Sequence, residues 1–328
     1  MIGFAPEEDE RLLVDSARSF AREVLRPRLR QHEEARAVSD EARRAFHDLG
    51  LVGMDLPSEL GFAGVPLLTR VLAEEELAAG DLGAAVALDA TGPAGEVLRR
   101  LGLGKRWLTP FLDDPLRRAA LAHPDLRFVP GAARASLLVT AEAVHEDFAA
   151  VEDRDVLGLA ELPPAAVTLR GAGVPLGDAR EAIRGALFRY AGVNAARAVG
   201  CARAAFEHAR RYAEERTAFG KPVGHFQAIA FLLADMATEI DAARALTWRA
   251  CRASDLGASD VDLRLAQAAA QAREMLAFVT SNAVQILGGA GYVQDHPVEK
   301  WMRDARALAV QGLTAEDARS FAVEAIAS

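Results

Sequence analysis

The run Arg216-Thr217-Ala218-Phe219-Gly220-Lys221-Pro222 puts a guanidinium between two long helical patterns, with Gln227 just beyond it. Paired N–H bonds let a guanidinium hold a phosphate or carboxylate. By residue type alone, Arg216 is equally an exposed loop arginine. The run Gln285-Ile286-Leu287-Gly288-Gly289-Ala290-Gly291-Tyr292 closes another helical pattern on glycines. By itself this is a helix C-cap, although glycine also lets other atoms approach the backbone closely. The remaining chemistry-bearing side chains are scattered. Cys201 and Cys251 fall in Ala-rich helical stretches with no CxxC or Cys/His cluster, so no zinc site or disulfide framework is expected. His225 lies inside the Arg216 loop, and His32, His47 and His208 are expected on polar helical faces. No Ser/His/Asp or metal-ligand spacing stands out. Trp107, Trp248 and Trp301 are expected as core anchors.

The elements that must position these residues fall into three parts. Residues 1–112 read as an N-terminal helical domain. Acids at Glu7, Glu8 and Asp9 suit a helix start, and Leu12, Leu13, Ala17, Phe20 and Val24 recur at helical spacing. Ser39 is an expected N-cap for a second helix ending near Gly50. Leu67 to Ala79 is a third helix, and Ala84 to Leu101 holds at least one more. Residues 113–180 carry prolines at 115, 124, 130, 163, 164 and 175, which punctuate short β-favouring runs such as Ala135–Thr140 and Ala166–Leu169. At roughly 65 residues this is a short sheet domain beside a typical 100 to 150. Residues 181–328 return to long helices: Leu187 to Arg216, Gln227 to Leu256, Val261 to Leu287 and Pro297 to Ala309. Helices of this length are expected to pack as an antiparallel four-helix bundle. The fold class is therefore mainly α, with a reduced β middle.

Composition sets outer bounds. The 328-residue chain is 51% hydrophobic and 26% charged, the balance of a folded globule. Its net charge of -9 argues against non-specific nucleic-acid binding. No basic n-region opens it, and no 18 apolar residues run together, so a cytoplasmic protein without a membrane segment is expected.

Three segments carry a family resemblance. Tyr212-Ala213-Glu214-Glu215-Arg216-Thr217-Ala218-Phe219-Gly220-Lys221-Pro222-Val223-Gly224-His225-Phe226-Gln227 resembles the acyl-CoA dehydrogenase signature YAxERxxFGxPIxxFQ, followed by Leu233-Ala234-Asp235-Met236. Gln285 to Tyr292 is similar to the family's QxxGGxGY, and Pro297-Val298-Glu299-Lys300-Trp301-Met302-Arg303-Asp304-Ala305-Arg306 to its PVEKLMRDAK. Leu49 to Gly64 and Glu74-Glu75-Glu76-Leu77-Ala78 match N-terminal family patterns more loosely. The resemblance implies that Arg216, Phe219, Gln227, Gln285, Gly288 and Gly289 contact FAD bound mainly by a neighbouring subunit. Ala218 stands where the family often has Thr. The charges of the third segment are assigned a structural role as ion pairs.

The chain departs from the family at its chemistry. There a Glu shortly after MRDAK removes the α-proton of the acyl-CoA while flavin N5 accepts the β-hydride. Here that position falls on Gly312, or on Gln311 with a one-residue shift, and neither is a base near neutral pH. The alternative family position, on the helix before the Arg216 loop, falls on Tyr190, a poor base at an ordinary pKa of about 10. The Arg that helps bind acyl-CoA in many members maps to Ala191. Glu181 and Glu207 are expected as surface charges. No TEPxAGSD is found, and WITN survives as Phe128-Val129-Pro130-Gly131, in which Pro130 has neither N–H nor hydroxyl for flavin N5.

Retained trans-acting motifs with a lost base and cradle point to a division of labour. The leading expectation is a base-lacking subunit of a heteromeric acyl-CoA dehydrogenase, such as a heterotetramer. FAD would be shared with a full-length acyl-CoA dehydrogenase subunit, and an acyl-CoA, in related heteromers often a bulky or sterol side-chain thioester, would be the substrate. A redox-inert homo-oligomer that binds an acyl thioester or acts as a scaffold is the alternative from another class. A homo-oligomeric dehydrogenase with an unassigned base, Glu316 or Asp317, is a third.

Overall fold

The computed structural model describes residues 7–313, 319–321 and 323. Its N-terminal helices are α1 (Glu8–Phe20), α2 (Leu29–Ala35), α3 (Asp40–Asp48), α4 (Leu67–Gly80), α5 (Leu82–Leu88), α6 (Gly92–Arg100), α7 (Gly104–Trp107) and α8 (Pro110–Asp113). Glu7 and Glu10 form a capping box at the start of α1, and the Ser39 hydroxyl accepts the Ala42 amide at 3.2 Å to start α3. The stretch Ala84–Leu101, expected to hold at least one helix, holds most of α5 and all of α6, separated at Asp89-Ala90-Thr91 where the Asp89 carboxylate caps the Gly92 amide at 3.1 Å. Leu12 is 62% exposed and does not join the apolar stripe of α1.

Strands β1 (Ala119–Leu121), β2 (Val129–Pro130), β3 (Leu137–Val139), β4 (Ala143–His145), β5 (Phe148–Glu152), β6 (Pro164–Leu169) and β7 (Val174–Pro175) form two sheets, ordered β1-β3-β4-β7 and β2-β6-β5. Only β1 and β3 pair in parallel; the other pairings in these two sheets are antiparallel. Side chains alternate across the first sheet as strand geometry requires. Ala119, Leu121, Leu137 and Val139 pack on Trp107, Leu108 and Phe111, whereas Ala120, Ala122 and Leu138 meet Val129, Ala165 and Val167 of the second sheet.

The C-terminal bundle is α9 (Arg180–Glu215), a hairpin of β8 (Thr217–Ala218) and β9 (Lys221–Pro222), then α10 (Gln227–Asp255), α11 (Val261–Leu287) and α12 (Val298–Leu308). Helix α9 starts seven residues before the expected Leu187, because Ala182, Ile183 and Ala186 bury against the first sheet and α6. Its small residues let α4 approach: a Cβ at Gly200 would lie 2.1 Å from the Glu75 carbonyl. Both cysteines are buried in this core. The expected mainly α fold with a helical C-terminal bundle is what the structure shows.

A buried ionic cluster joins the three parts. Lys300 Nζ of α12 lies 3.0 Å from Asp81 Oδ1, 2.9 Å from Glu161 Oε1 and 2.6 Å from Asp304 Oδ2, and its side chain is wholly buried. The Leu159 amide donates to Asp304 at 2.7 Å. The structural role assigned to this segment's charges agrees with these contacts. His32, expected on a polar face, is instead buried, with Nδ1 3.1 Å from Asp81 Oδ2. A lone histidine in a charged helix gives no sign of the carboxylate brought to it from elsewhere in the chain.

Burial first, then Asp81, raises Glu161 to about 8 despite Lys300. Between the ordinary carboxylate range and about 8, the folded state thus holds the proton that the unfolded chain has released. Stability falls as pH rises through that window. Glu161→Gln should flatten the slope, gaining on the parent between pH 5 and pH 8 in urea denaturation series. An unchanged slope would remove Glu161 as its source.

Candidate functional site

A cavity of about 560 Å³ opens where α9, the first sheet, the 156–159 loop and the end of α12 meet. That volume suits a small-molecule site, typically about 300 to 1,000 Å³. Leu121, Phe128, Leu157 and Val310 give it apolar walls, and Phe128, Leu157 and Val310 are exposed. Asp89, Arg118, Tyr190, Asn194 and Arg197 give it polar ones. Gly312 and Gln311 also line it, so the structure brings together the three positions, Tyr190 included, where a base was sought in the sequence. Gly312 has φ +67, and a Cβ there would meet only Asn194 Nδ2, at 3.9 Å. The Gln311 carbonyl accepts from Arg273 Nη2 at 3.0 Å. Glu316 and Asp317 lie outside the described residues.

Tyr190 is a braced neutral phenol. Its oxygen accepts from Arg70 Nη2 at 3.0 Å and donates to Asp89 Oδ1 at 3.4 Å, and the Arg70 guanidinium carbon lies 4.9 Å from the ring centroid. Burial raises its pKa well above the usual value, against the pull of Arg70. Behind it lies an ionic lattice that the sequence reading missed. Arg70 pairs with Asp55 at 2.7 Å and Asp89 at 2.8 Å, Arg197 with Glu74 and Asp89 at 2.8 Å each, and Arg189 with Asp55 at 2.6 Å. Burial pushes Asp89 up, but Arg70 and Arg197 outweigh it and carry it down to about 2. Three carboxylates thus face three guanidinium groups. The available signal in the sequence was Arg70 and Glu74, one helical turn apart in a helix that also carries Glu75 and Glu76. Glu181 and Glu207 are exposed, as expected.

None of Arg216, Phe219, Gln227, Gln285, Gly288 and Gly289 lines this cavity, and all are exposed. Phe219 and Gly220 form the two-residue tip of the β8–β9 hairpin, with φ +52 and +84, values that a type I′ turn demands. Positive φ is uncommon for a bulky residue, and the Phe219 ring is 95% exposed, touching Phe226 only edge-on at 6.2 Å between centroids. The glycines after α11 divide by function. A Cβ at Gly291 would lie 2.5 Å from the Val284 carbonyl, so the fold itself requires that glycine. A Cβ at Gly289 would meet nothing within 4 Å, and the φ there is not in the left-handed range. This chain's packing therefore does not call for glycine at 289.

This outer surface and the inner cavity fit FAD differently. Outside the cavity lie an exposed guanidinium, an exposed ring and an open glycine, groups whose chemistry suits the phosphate-bearing half of a nucleotide held from outside. In the cavity, Pro130 presents no donor and Gly312 no base.

A helical N-terminal domain, a small β part and a long helical bundle around such a cavity define the architecture of flavin-dependent acyl-thioester dehydrogenases. The fold is that of butyryl-CoA dehydrogenase from Megasphaera elsdenii, with a TM-score of 0.91 over 100% of both chains at 22% identity. Residues 7–113 match the model of the acyl-CoA dehydrogenase N-terminal domain, and residues 181–325 that of the acyl-CoA dehydrogenase C-terminal domain. The chain belongs to the acyl-CoA dehydrogenase family. It is 28% identical to the mitochondrial short-chain specific acyl-CoA dehydrogenase of Sus scrofa, over 94% of this chain and 88% of that protein. It is also 28% identical to benzylmalonyl-CoA dehydrogenase of Aromatoleum aromaticum, over 94% of this chain and 95% of that protein. The family is FAD-dependent. No helix among the described residues is long and apolar enough to cross a membrane.

Proposed function

We propose that this chain is the base-lacking subunit of a heteromeric acyl-CoA dehydrogenase, completing the FAD site of a full-length partner that carries the catalytic Glu. The observation that carries this reading is the separation just described. The motif residues are exposed and do not line the chain's own cavity, while the base position at that cavity holds Gly312. A residue serving a cofactor in its own cavity would line that cavity. The partner's flavin, when bound, supplies the hydride acceptor for α,β-dehydrogenation of an acyl-CoA. Arg216 would grip its pyrophosphate by paired N–H bonds. Gly288 and Gly289 would admit the nucleotide against the backbone, and Gln227 and Gln285 would add hydrogen bonds at its edges. Phe219 would insert its ring at the contact. Tyr190, pinned between Arg70 and Asp89, keeps its proton and shapes the cavity wall rather than acting as a base.

Co-expression with a full-length homologue from the same source, followed by tandem-affinity purification, tests the reading. A stable complex that retains FAD and turns over acyl-CoA is expected, with activity abolished by replacing the partner's Glu and unaffected by Gln311→Ala. Failure of every such pairing to form a flavin-loaded complex would contradict it.

A further inference from the structure

The cavity wall carries one charge that the ionic lattice does not neutralise. Arg118, one residue before β1, is only 5% exposed, and it contributes to the wall alongside Asn194 and Arg197. Its guanidinium donates a hydrogen bond from Nη1 to the Asp89 carbonyl at 3.1 Å. Among the described residues no carboxylate forms an ion pair with it. The nearby acids are already engaged: Asp89 by Arg70 and Arg197, Glu74 by Arg197. The other charges around it are largely of its own sign. Burial lowers its pKa to about 10, and Arg43, Arg134 and Arg197 push the same way, with Asp89 opposing.

A buried guanidinium without a counter-charge is costly to keep. A cavity that keeps one, and that Leu121, Phe128 and Val310 also line, suits a ligand with an apolar body and an anionic end. A guanidinium has the planar donor fork that matches a carboxylate. We propose that this cavity binds an acyl ligand bearing a free carboxylate, held by Arg118. The carboxylate belongs either to a free fatty acid or to the far end of a thioester whose acyl chain is a dicarboxylic acid. This goes beyond the shared-flavin reading and does not depend on it, because it concerns the chain's own cavity and is read by binding alone.

The test is calorimetric titration of the full chain, alone and in the co-expressed complex, with octanoate, octanamide, octanoyl-CoA and octanedioyl-CoA. Octanoate should bind at least tenfold more tightly than octanamide if the free acid is the ligand. Octanedioyl-CoA should bind at least tenfold more tightly than octanoyl-CoA if the carboxylate arrives on a thioester. In either case Arg118→Gln should remove the preference and leave the uncharged member of the pair within about twofold of its parent affinity. Thermal melting of Arg118→Met without ligand adds a readout independent of binding. A ligand-holding arginine predicts a melting temperature equal to or above the parent's, and a structural one predicts a fall. Equal binding of both members of each pair, a preference that survives Arg118→Gln, or a lowered melting temperature of Arg118→Met would each overturn the proposal. So would competition by ADP for the same Arg118-dependent site, which would assign the anion to a phosphate. The titrations of the chain alone require neither flavin nor turnover, so a failed flavin complex would leave their result standing.

Discussion

Replacing Lys300 with methionine should destabilise the protein by about 3 to 5 kcal/mol, the range for removing one partner of a buried ion pair. The expectation follows from the surroundings of the ammonium. Asp81, Glu161 and Asp304 all lie within 3.0 Å of Nζ, and no exposed path lets water take its place, since all these side chains are 2% exposed or less. Burial alone would lower the pKa of Lys300, yet the carboxylates raise it well above its usual value, led by Asp304. Its charge is therefore present in the folded state at any pH where the protein is used. Without it, the acids must take up protons on folding. The loss in Lys300→Met should consequently be smaller at pH 5 than at pH 8. Equilibrium denaturation at both values measures the effect, and a loss under about 1 kcal/mol at pH 8 would mean that the cluster does not join the three parts of the chain.

The second large effect concerns the outer surface. In the co-expressed complex, Arg216→Ala should weaken FAD retention by about 30- to 4,000-fold, from the roughly 2 to 5 kcal/mol lost when a charged hydrogen-bonded partner is truncated. Gly289→Val should do the same through bulk rather than charge. Neither change should move the melting temperature of the isolated chain by more than about 1 °C. The backbone amide of Arg216 donates to the Tyr212 carbonyl at 2.8 Å, and its side chain makes no ion pair among the described residues. A Cβ at 289 enters open space. Gly291→Ala is the contrasting control, expected to destabilise the chain itself because its Cβ would strike the Val284 carbonyl. Flavin retention after desalting and thermal melting separate the two classes of glycine.

Much of this architecture was legible in the sequence because long helices announce themselves by their period. The ends of α10 and α11, the Ser39 cap and the glycine stop after Leu287 all follow from local rules. The middle was legible only in part: Ala135–Thr140 and Ala166–Leu169 hold β3 and most of β6, but strands of two residues such as β2 and β7 carry too little alternation to reveal two sheets. Counting along the family motifs brought Gly312, Gln311 and Tyr190 into consideration separately, and the fold gathers them at one cavity. The ionic lattice escaped notice for a different reason. Arg70, Glu74 and Arg197 have the types of a solvated helix face, and only the approach of α4 to α9 turns that face inward. Arg118, adjacent to Arg117 in a polar turn, looks like surface until β1 carries it to the cavity wall.

The most direct measurement is the visible absorption spectrum of the purified chain, before and after incubation with FAD and desalting. An account in which the chain serves a partner's flavin predicts a colourless protein that retains no flavin on its own. Stoichiometric flavin retained by the single chain would contradict it, because the chain's own cavity, lined by Pro130 and Gly312, would then build a complete site without a full-length partner.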